Sequence, residues 1–331
     1  MKLYVLGDLH ISDKEYHTHG VLEMMSWMRE NFEEGNAVLF LGDILTSMSA
    51  NILAVQQLIT LTKLLDDMHM EKHILMGNHD YGMLNRQARS ADDFYESLGY
   101  SVYRDITEAE VCGIKCLMIP WKRTSEKEVT KELEAFSEKK YDIVFGHWCF
   151  TESKYIPHID ITGVQSTWKL FGHIHNYQEI AENQEYVGAP VPNAVNEFPT
   201  NAVCWTFEKN GSEVVGAKEA LPEFVKLKKV TIEKGQAENA ESLLKKEVGN
   251  YYYLFASSVR DYSILKQLKL TVPMILGISL STVDEDQNGK QLIINDAFFS
   301  KVGSLQQLYK QLYEEKVITA DEMSTLNKYC N

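Results

Sequence analysis

Positive charge is what this sequence has least of: 33 lysines and arginines stand against 47 aspartates and glutamates, a formal net charge of −14 over 331 residues. So acidic a chain has no overall attraction for a polyanion, because nucleic-acid affinity rests largely on neutralising phosphates. That excludes a simple DNA-binding protein acting alone, but not a nuclease whose metals or partner supply positive charge. No apolar run approaches the roughly 20 residues that cross a bilayer. The opening MKLYVLGDLH is too short and too soon charged for a secretory leader and reads as a first strand, so a cytoplasmic location without a membrane is expected. Paired cysteines are also missing. Cys112, Cys116, Cys149, Cys204 and Cys330 are odd in number and scattered. Cys112 and Cys116 make a lone C-x3-C inside VCGIKCLMI, which reads as a strand, so reduced core thiols are expected rather than a zinc site. Neither glycine nor proline is enriched, and neither low-complexity segments nor solenoid repeats occur, so order is expected throughout.

What is present is a core-forming composition, 44% hydrophobic, at a length that suggests two domains. The first half repeats one local event. KLYVL precedes Gly7-Asp8-Leu9-His10, AVLFL precedes Gly42-Asp43, and HILM precedes Gly77-Asn78-His79-Asp80. YDIVF precedes Gly146-His147, and TWKLF precedes Gly172-His173-Ile174-His175. Short continuous apolar runs read as strands buried on both faces. Between them, Val21 to Phe32, Ile52 to Leu65 and Asp92 to Leu98 have helical spacing. Alternating strands and helices predict a layered α/β fold, with ligands gathered beyond the carboxyl ends of the strands. After Gly188 the texture changes. Ala202 to Phe207 reads as a strand and Asn210-Gly211 as a hairpin turn. The expected boundary lies near Leu221-Pro222, giving domains 1–221 and 222–331, the second a smaller α+β unit. There FVKLKKVTI, NYYYLFASSV and LGISLSTV read as strands and GQAENAESLLKKEV as a helix. The end reads as helical, with Leu305, Leu308 and Leu312 on one face and a capping box at Thr319 and Glu322.

Collected, the polar clusters offer Asp8, His10, Asp43, Asn78, His147, His173 and His175. In an extended D-x-H, residues two apart point the same way, so Asp8 and His10 can share one ion, as can His173 and His175. Asp43 can bridge two ions with its two oxygens. Mixed imidazole and carboxylate ligation suits Mn²⁺, Fe²⁺ or Zn²⁺ better than Mg²⁺ or Ca²⁺. Two such ions roughly 3.5–4 Å apart activate water for in-line phosphoryl displacement. His79 has no ion of its own and is the candidate to protonate the leaving oxygen or orient the phosphate. Asp80 is the candidate to fix an imidazole tautomer. Singly, each cluster has a plainer reading: Asp8 a turn residue, Asp43 a helix N-cap, Asn78 a turn, His147 a satisfied core histidine. It is the ordered set of five strand ends that points to a shared dinuclear site.

The order D-x-H, G-D, G-N-H-D, G-H, G-H-x-H, over residues 8 to 175, resembles the calcineurin-like metallophosphoesterase superfamily. The resemblance implies a sandwich of two mixed β-sheets flanked by helices, with a smaller C-terminal α+β capping domain. It implies two divalent ions, Mn²⁺ foremost, with Fe²⁺, Zn²⁺ or Mg²⁺ as alternatives. Asp8, His10 and His175 would hold the first, Asn78, His147 and His173 the second, and Asp43 would bridge them. His79 would be the catalytic histidine.

Phosphoprotein phosphatases of the superfamily carry G-D-x-V-D-R-G and G-N-H-E. Here Ile44-Leu45-Thr46 lacks the acid and the arginine, and Asp80 stands where they place Glu. After the last histidine, GHIHNYQEIAENQEYVGAPVPNAVNEF resembles the nuclease branch, with a hairpin, Y-x-G-[SA]-P, then an acidic residue and an aromatic. Ile119-Pro120-Trp121 also resembles SbcD-type exonuclease subunits, and the compact length fits a phage-encoded member acting in a host cytoplasm. The resemblance implies a DNA substrate, an SbcC-type ATPase partner in recombination or repair, and dimerisation through helices between the first and third motifs. A stand-alone phosphodiesterase for a small substrate such as a cyclic nucleotide is the alternative. Leu45-Thr46-Ser47 departs from the pattern where an aromatic and then Asp or His are usual, which puts substrate contacts there in doubt. Trp148 and Tyr177, beside ligand histidines, are candidate base-stacking residues. Gly188-Ala189-Pro190 reads as backbone approaching the metals. His17 and His19 read as loop residues.

Overall fold

The structure is a computed structural model that describes residues 1–47, 51–84, 87–150, 158–244, 250–281 and 293–294. It divides into two compact units, Met1–Val225 and Lys226–Asn331. The helical end expected beyond residue 304, with its capping box, lies outside the described residues.

The first unit begins with β1 (Lys2–Leu6), α1 (Glu15–Asn31), β2 (Ala37–Phe40), α2 (Ile52–Asp67) and β3 (Glu71–Leu75). A hairpin of β4 (Tyr81–Leu84) and β5 (Gln87–Ser90) precedes α3 (Asp92–Ser97), β6 (Ser101–Tyr103), β7 (Thr107–Val111) and β8 (Ile114–Ile119). Then come α4 (Glu126–Leu133), β9 (Lys140–Gly146), β10 (Gln165–Phe171), β11 (Gln178–Ala181), β12 (Gln184–Tyr186), β13 (Val203–Asn210) and β14 (Glu213–Ala220). Two six-stranded sheets result, ordered β14-β13-β1-β2-β3-β6 and β11-β12-β10-β9-β8-β7. Each has a parallel centre: β1, β2, β3 and β6 in one, β8, β9, β10 and β12 in the other. Antiparallel strands flank them, so both sheets are mixed.

The strand period of two decides what faces what. Leu3 and Val5, Leu39 and Leu41, Cys116 and Met118, Ile143 and Phe145, and Trp205 and Phe207 form one buried cluster between the sheets. Their neighbours Leu117, Ile119 and Val144 point the other way, under Val129 and Leu133 of α4. On the first sheet, Tyr4, Leu6, Val38, Phe40 and Ile74 are buried too, and Tyr4 stacks at 4.0 Å on Phe32 at the end of α1. Most of the covered positions in these strands are apolar, while polar residues such as Lys2, Glu71 and Lys140 stand at strand starts.

Local chemistry sets the helix ends. The Asn51 side chain accepts from Leu53 N and Ala54 N to start α2, and Ser125 with Glu128 forms a capping box for α4. Helix α1 begins six residues before the expected apolar spacing, so His17 and His19 are helical rather than in a loop. VCGIKCLMI is not one strand. Cys112 and Gly113, with φ of +52° and +76°, form the two-residue turn between β7 and β8. Cys112, Cys116, Cys149 and Cys204 are all free thiols.

The second unit contains β15 (Lys226–Ile232), the short α5 (Ala240–Leu243), β16 (Asn250–Ala256), α6 (Val259–Thr271), β17 (Ile275–Ser281) and β18 (Ile293–Ile294). Strands β15, β16 and β17 are parallel, and Leu254, Ile278 and Leu280 pack with Tyr262 and Leu265 of α6. Helix α6 was not expected from the sequence, although its N-cap is visible there: Ser258 accepts from Asp261 N at 3.1 Å. No helix among the described residues is long and apolar enough to cross a membrane.

Phe207 is fully buried between the sheets and stacks on Trp205 at 5.2 Å. Phe207→Ala is expected to destabilise folding by about 3–5 kcal/mol. Chemical denaturation measures this, and a loss below about 1 kcal/mol would contradict the packing described.

Candidate metal centre

Five of the parallel strands end at one side of the sandwich, and each end carries its polar cluster. Asp8 and His10 follow β1, Asp43 follows β2, and Asn78 and His79 follow β3. His147 follows β9, and His173 and His175 follow β10. Because both sheets present carboxyl ends here, residues more than a hundred positions apart meet.

Around the first expected ion, His10 Nε2 and His175 Nε2 lie 2.9 Å apart. His175 Nε2 is 3.7 Å from Asp8 Oδ2, and His10 Nε2 is 3.7 Å from Asp43 Oδ2. Around the second, Asn78 Oδ1 is 3.1 Å from His147 Nε2 and 3.0 Å from His173 Nδ1. Asp43 Oδ2 is 3.3 Å from His147 Nε2. The structure thus gathers all seven expected ligands, with Asp43 between the groups. One detail differs from expectation. A single oxygen, Oδ2, faces both groups, since Oδ1 accepts the His79 N–H at 2.7 Å.

The donor atoms fit cations. His147 Nδ1–H donates to Leu41 O at 2.5 Å, which leaves Nε2 as a lone pair facing the Asn78 and Asp43 oxygens. His175 Nδ1 pairs with Glu197 Oε1 at 2.9 Å, which leaves Nε2 facing His10. Asp8 Oδ1 is buried without a hydrogen-bond partner. Lone pairs aimed at one another inside a buried site are costly unless positive charge sits between them. Without metal, protons take that place. Burial alone would lower His147, yet the Asp43 and Asp8 carboxylates raise it to about 10. Burial, with the Asp43 charge, lifts Asp8 to about 6. Burial would raise Asp43 too, but His147, His10 and His79 around it hold it well below the carboxylate range. Burial and the raised His147 lower His173 to about 4.

The backbone is forced into place. His10, Asp43 and His173 have φ of +47°, +49° and +78°. For residues with a Cβ this left-handed region costs on the order of 1–3 kcal/mol each and persists only where the surroundings over-determine it. They do: His10 N–H donates to Asp43 O at 2.8 Å, and His173 N–H to Asp8 Oδ2 at 2.8 Å. The preceding glycines admit this packing. A Cβ on Gly77 would lie 2.2 Å from Asp43 Oδ1, and one on Gly42 would lie 2.4 Å from His147 Nδ1.

Asp80 departs from its expected role. It reaches no imidazole. Its Oδ2 accepts from the N–H of Asp43 (2.9 Å) and of Gly77 (2.8 Å), and its Oδ1 accepts from the Tyr95 hydroxyl (2.6 Å). Asp80 is therefore a positioning residue that locks the second motif to the third. Burial and the Asp43 charge raise it to about 7. Asp43 itself caps no helix, because α2 starts at Ile52. His79 Nδ1 lies 2.7 Å from Thr46 O, so the segment whose contacts were in doubt orients the catalytic candidate instead.

Trp148 cannot stack a base: it is buried, with Nε1 donating to Pro120 O at 2.8 Å. Lys218 lies over the Tyr177 ring, 5.1 Å from its centroid, so that face is taken. Gly188 presses on motif backbone, since its carbonyl would meet a Cβ on Gly7 at 2.1 Å, and Ala189 N–H donates to His175 O. His17 is fully buried, with neither ring nitrogen hydrogen-bonded, and burial lowers it to about 3. Glu197 was visible in the sequence only as an acidic residue after the hairpin. Tyr95 and the Leu41 and Thr46 carbonyls had no readable signal.

Glu197→Gln is expected to weaken metal binding at the His175 group about 10–100-fold, as lost carboxylate support for a ligating imidazole does. Calorimetric titration with Mn²⁺ checks this, and unchanged affinity would remove Glu197 from the centre. Because His147 holds a proton at neutral pH in the metal-free protein, metal binding must displace it. Affinity should therefore rise with pH, by up to about tenfold per unit between 7 and 9. Titrations in buffers of differing ionisation heat should show proton release at pH 7.

The family model described as calcineurin-like phosphoesterase matches residues 1–177 of the chain, a span that holds every gathered ligand. Among solved structures, Vps29 from Chaetomium thermophilum is similar at 11% identity and a TM-score of 0.31, over 67% of this chain and 95% of that one. A protein of unknown function, AQ665 from Aquifex aeolicus, is similar at 14% identity and a TM-score of 0.30, over 50% of this chain and 87% of its own. No curated protein matches.

Proposed function

The chain belongs to the calcineurin-like phosphoesterase family, a family of metal-dependent phosphoesterases, and from that premise we propose that it is a dinuclear DNA nuclease. The observation that carries the reading is the convergence of seven ligand side chains around Asp43 Oδ2, with His79 held beside them. The choice of DNA rests on the sequence: G-H-I-H with its hairpin and G-A-P, and Asp80 in place of Glu. Two divalent ions bound there, Mn²⁺ foremost, would supply Lewis acidity, activating water and drawing off phosphate charge.

The chain's own groups do the rest. Asp8, Asp43, Asn78 and the four imidazoles would hold those ions, whose charge would compensate and orient the reacting phosphodiester. His79 moves the proton. Its Nδ1–H is fixed on the Thr46 carbonyl, so in the imidazolium form Nε2–H is the donor to the leaving oxygen. A ring nitrogen of His79 lies within 4.8 Å of the His10 and Asp43 ligand atoms, near enough to serve a phosphate held there. Glu197 and Asp80 position, through His175 and through the Asp43 backbone.

A net charge of −14 supplies little attraction for duplex DNA. The reading therefore includes an ATPase partner of the SbcC type that adds basic surface. The same charge favours the second reading, a stand-alone phosphodiesterase for a small diester such as a cyclic nucleotide.

One panel separates them. With Mn²⁺, the protein should cleave linear duplex or single-stranded DNA, alone or with a co-encoded ATPase. Turnover of bis-p-nitrophenyl phosphate or cyclic nucleotides with DNA left intact in both arms would reject the nuclease. His79→Ala should lower turnover about 10²–10⁴-fold while both metals stay bound. Loss of metal in that variant would make His79 a ligand instead.

A further inference from the structure

Beside the metal centre the chain builds an aromatic ledge with a cationic edge, and we propose that it stacks an unpaired nucleobase of the substrate. The proposal rests on the phosphodiesterase reading above and adds what lies next to the scissile phosphate. Its core is Trp121, in the segment Ile119-Pro120-Trp121 that threads between the two sheets' carboxyl ends. Trp121 N–H donates to Met76 O at 2.8 Å, two residues before Asn78, and His147 N–H donates to Ile119 O at 3.0 Å. The segment is thus hydrogen-bonded to backbone next to ligands of the second group.

Three rings assemble there. Trp148, the residue after His147, is the buried floor, fixed through Nε1 to Pro120 O. Trp121 stacks on it, with centroids 5.8 Å apart and planes at 27°. Tyr81, two residues after His79, leans on Trp121 at 5.3 Å and 52°. Trp148 is buried, whereas Tyr81 and Trp121 are only half-buried. With one indole face on Trp148 and an edge against Tyr81, the exposed remainder of Trp121 points outward.

The exposed Arg123 completes the ledge, its guanidinium carbon 5.9 Å from the Tyr81 centroid and Nη2 donating to Gly82 O at 2.8 Å. A fixed aromatic surface beside an arginine matches the two things a single-stranded nucleotide offers, a π-face and a phosphate. In so acidic a chain, a cation held against these rings has a use that a scattered surface charge lacks. Fraying or single-stranded ends expose such bases; paired duplex does not.

The test is binding by the full-length His79→Ala chain loaded with Mn²⁺, which leaves the ligand uncut. Fluorescence titration compares an eight-nucleotide thymidine oligomer with an abasic oligomer of equal length. The thymidine oligomer should bind about tenfold tighter, within the range of single base–aromatic stacks. Trp121→Ala should erase that difference and leave abasic affinity unchanged. Trp121→Phe should keep most of it, and covers the case in which the alanine variant fails to fold. Equal binding of the two oligomers, binding of neither, or an equal loss for both in Trp121→Ala overturns the ledge. Those results would leave wild-type DNA cleavage standing. DNA left uncut with base-dependent binding retained would instead strike only the nuclease reading.

Discussion

Asp43 has every polar group committed. Its N–H donates to Asp80 Oδ2, its carbonyl accepts from His10 N–H, and its Oδ1 accepts from His79 N–H. Its Oδ2 faces His147 on one side and His10 on the other. To reach all four it takes a φ of +49°, a conformation costly for a residue with a Cβ. Three hydrogen bonds at 2.9 Å or less hold it there, each from a different motif or a different atom of it. The three sheet-one motifs are therefore one hydrogen-bonded object. The two from the second sheet close onto it through Asp8 Oδ2 and Asn78 Oδ1.

This arrangement explains why the site needs rigid strands beneath it. Like charges and lone pairs packed together repel, and strained residues relax if allowed. Neither happens while β1, β2 and β3 on one side and β9 and β10 on the other are clamped by a core filled from both sheets. The glycines before the ligands let backbone approach backbone more closely than any side chain would permit. Fold stability is thus converted into a preorganised field for positive charge.

That field also sorts the ionisable groups. His147 binds a proton more tightly than free imidazole, while His173, beside it, binds one less tightly, because the first lies against two carboxylates and the second against the first. Asp80 shows the same logic from the other side. A carboxyl buried near Asp43 resists ionisation, while the hydrogen bonds from the Tyr95 hydroxyl and the Gly77 N–H favour the ionised form.

Much of this is legible in the amino-acid sequence. Apolar runs gave strands buried on both faces, and glycine followed by metal-capable residues gave their ends, so Asp8, His10, Asp43, Asn78, His147, His173 and His175 could be named from local pattern. These features depend on residues adjacent in sequence. Where the reading missed, the deciding contact was long-range. Asp80 was expected on an imidazole, but its partners come from Gly77, Asp43 and Tyr95. Trp148 was a candidate to stack a base, but the segment at Pro120 and Trp121 covers it. His17 was assigned to a loop because apolar spacing starts later than the helix does. The sequence by itself determined which atoms could bind a cation, since that is a property of side-chain chemistry. Only the tertiary structure decided which of them come together, which oxygen of Asp43 stands between the groups, and which aromatic ring is left half-exposed. Those are distances between strands that the chain order does not contain.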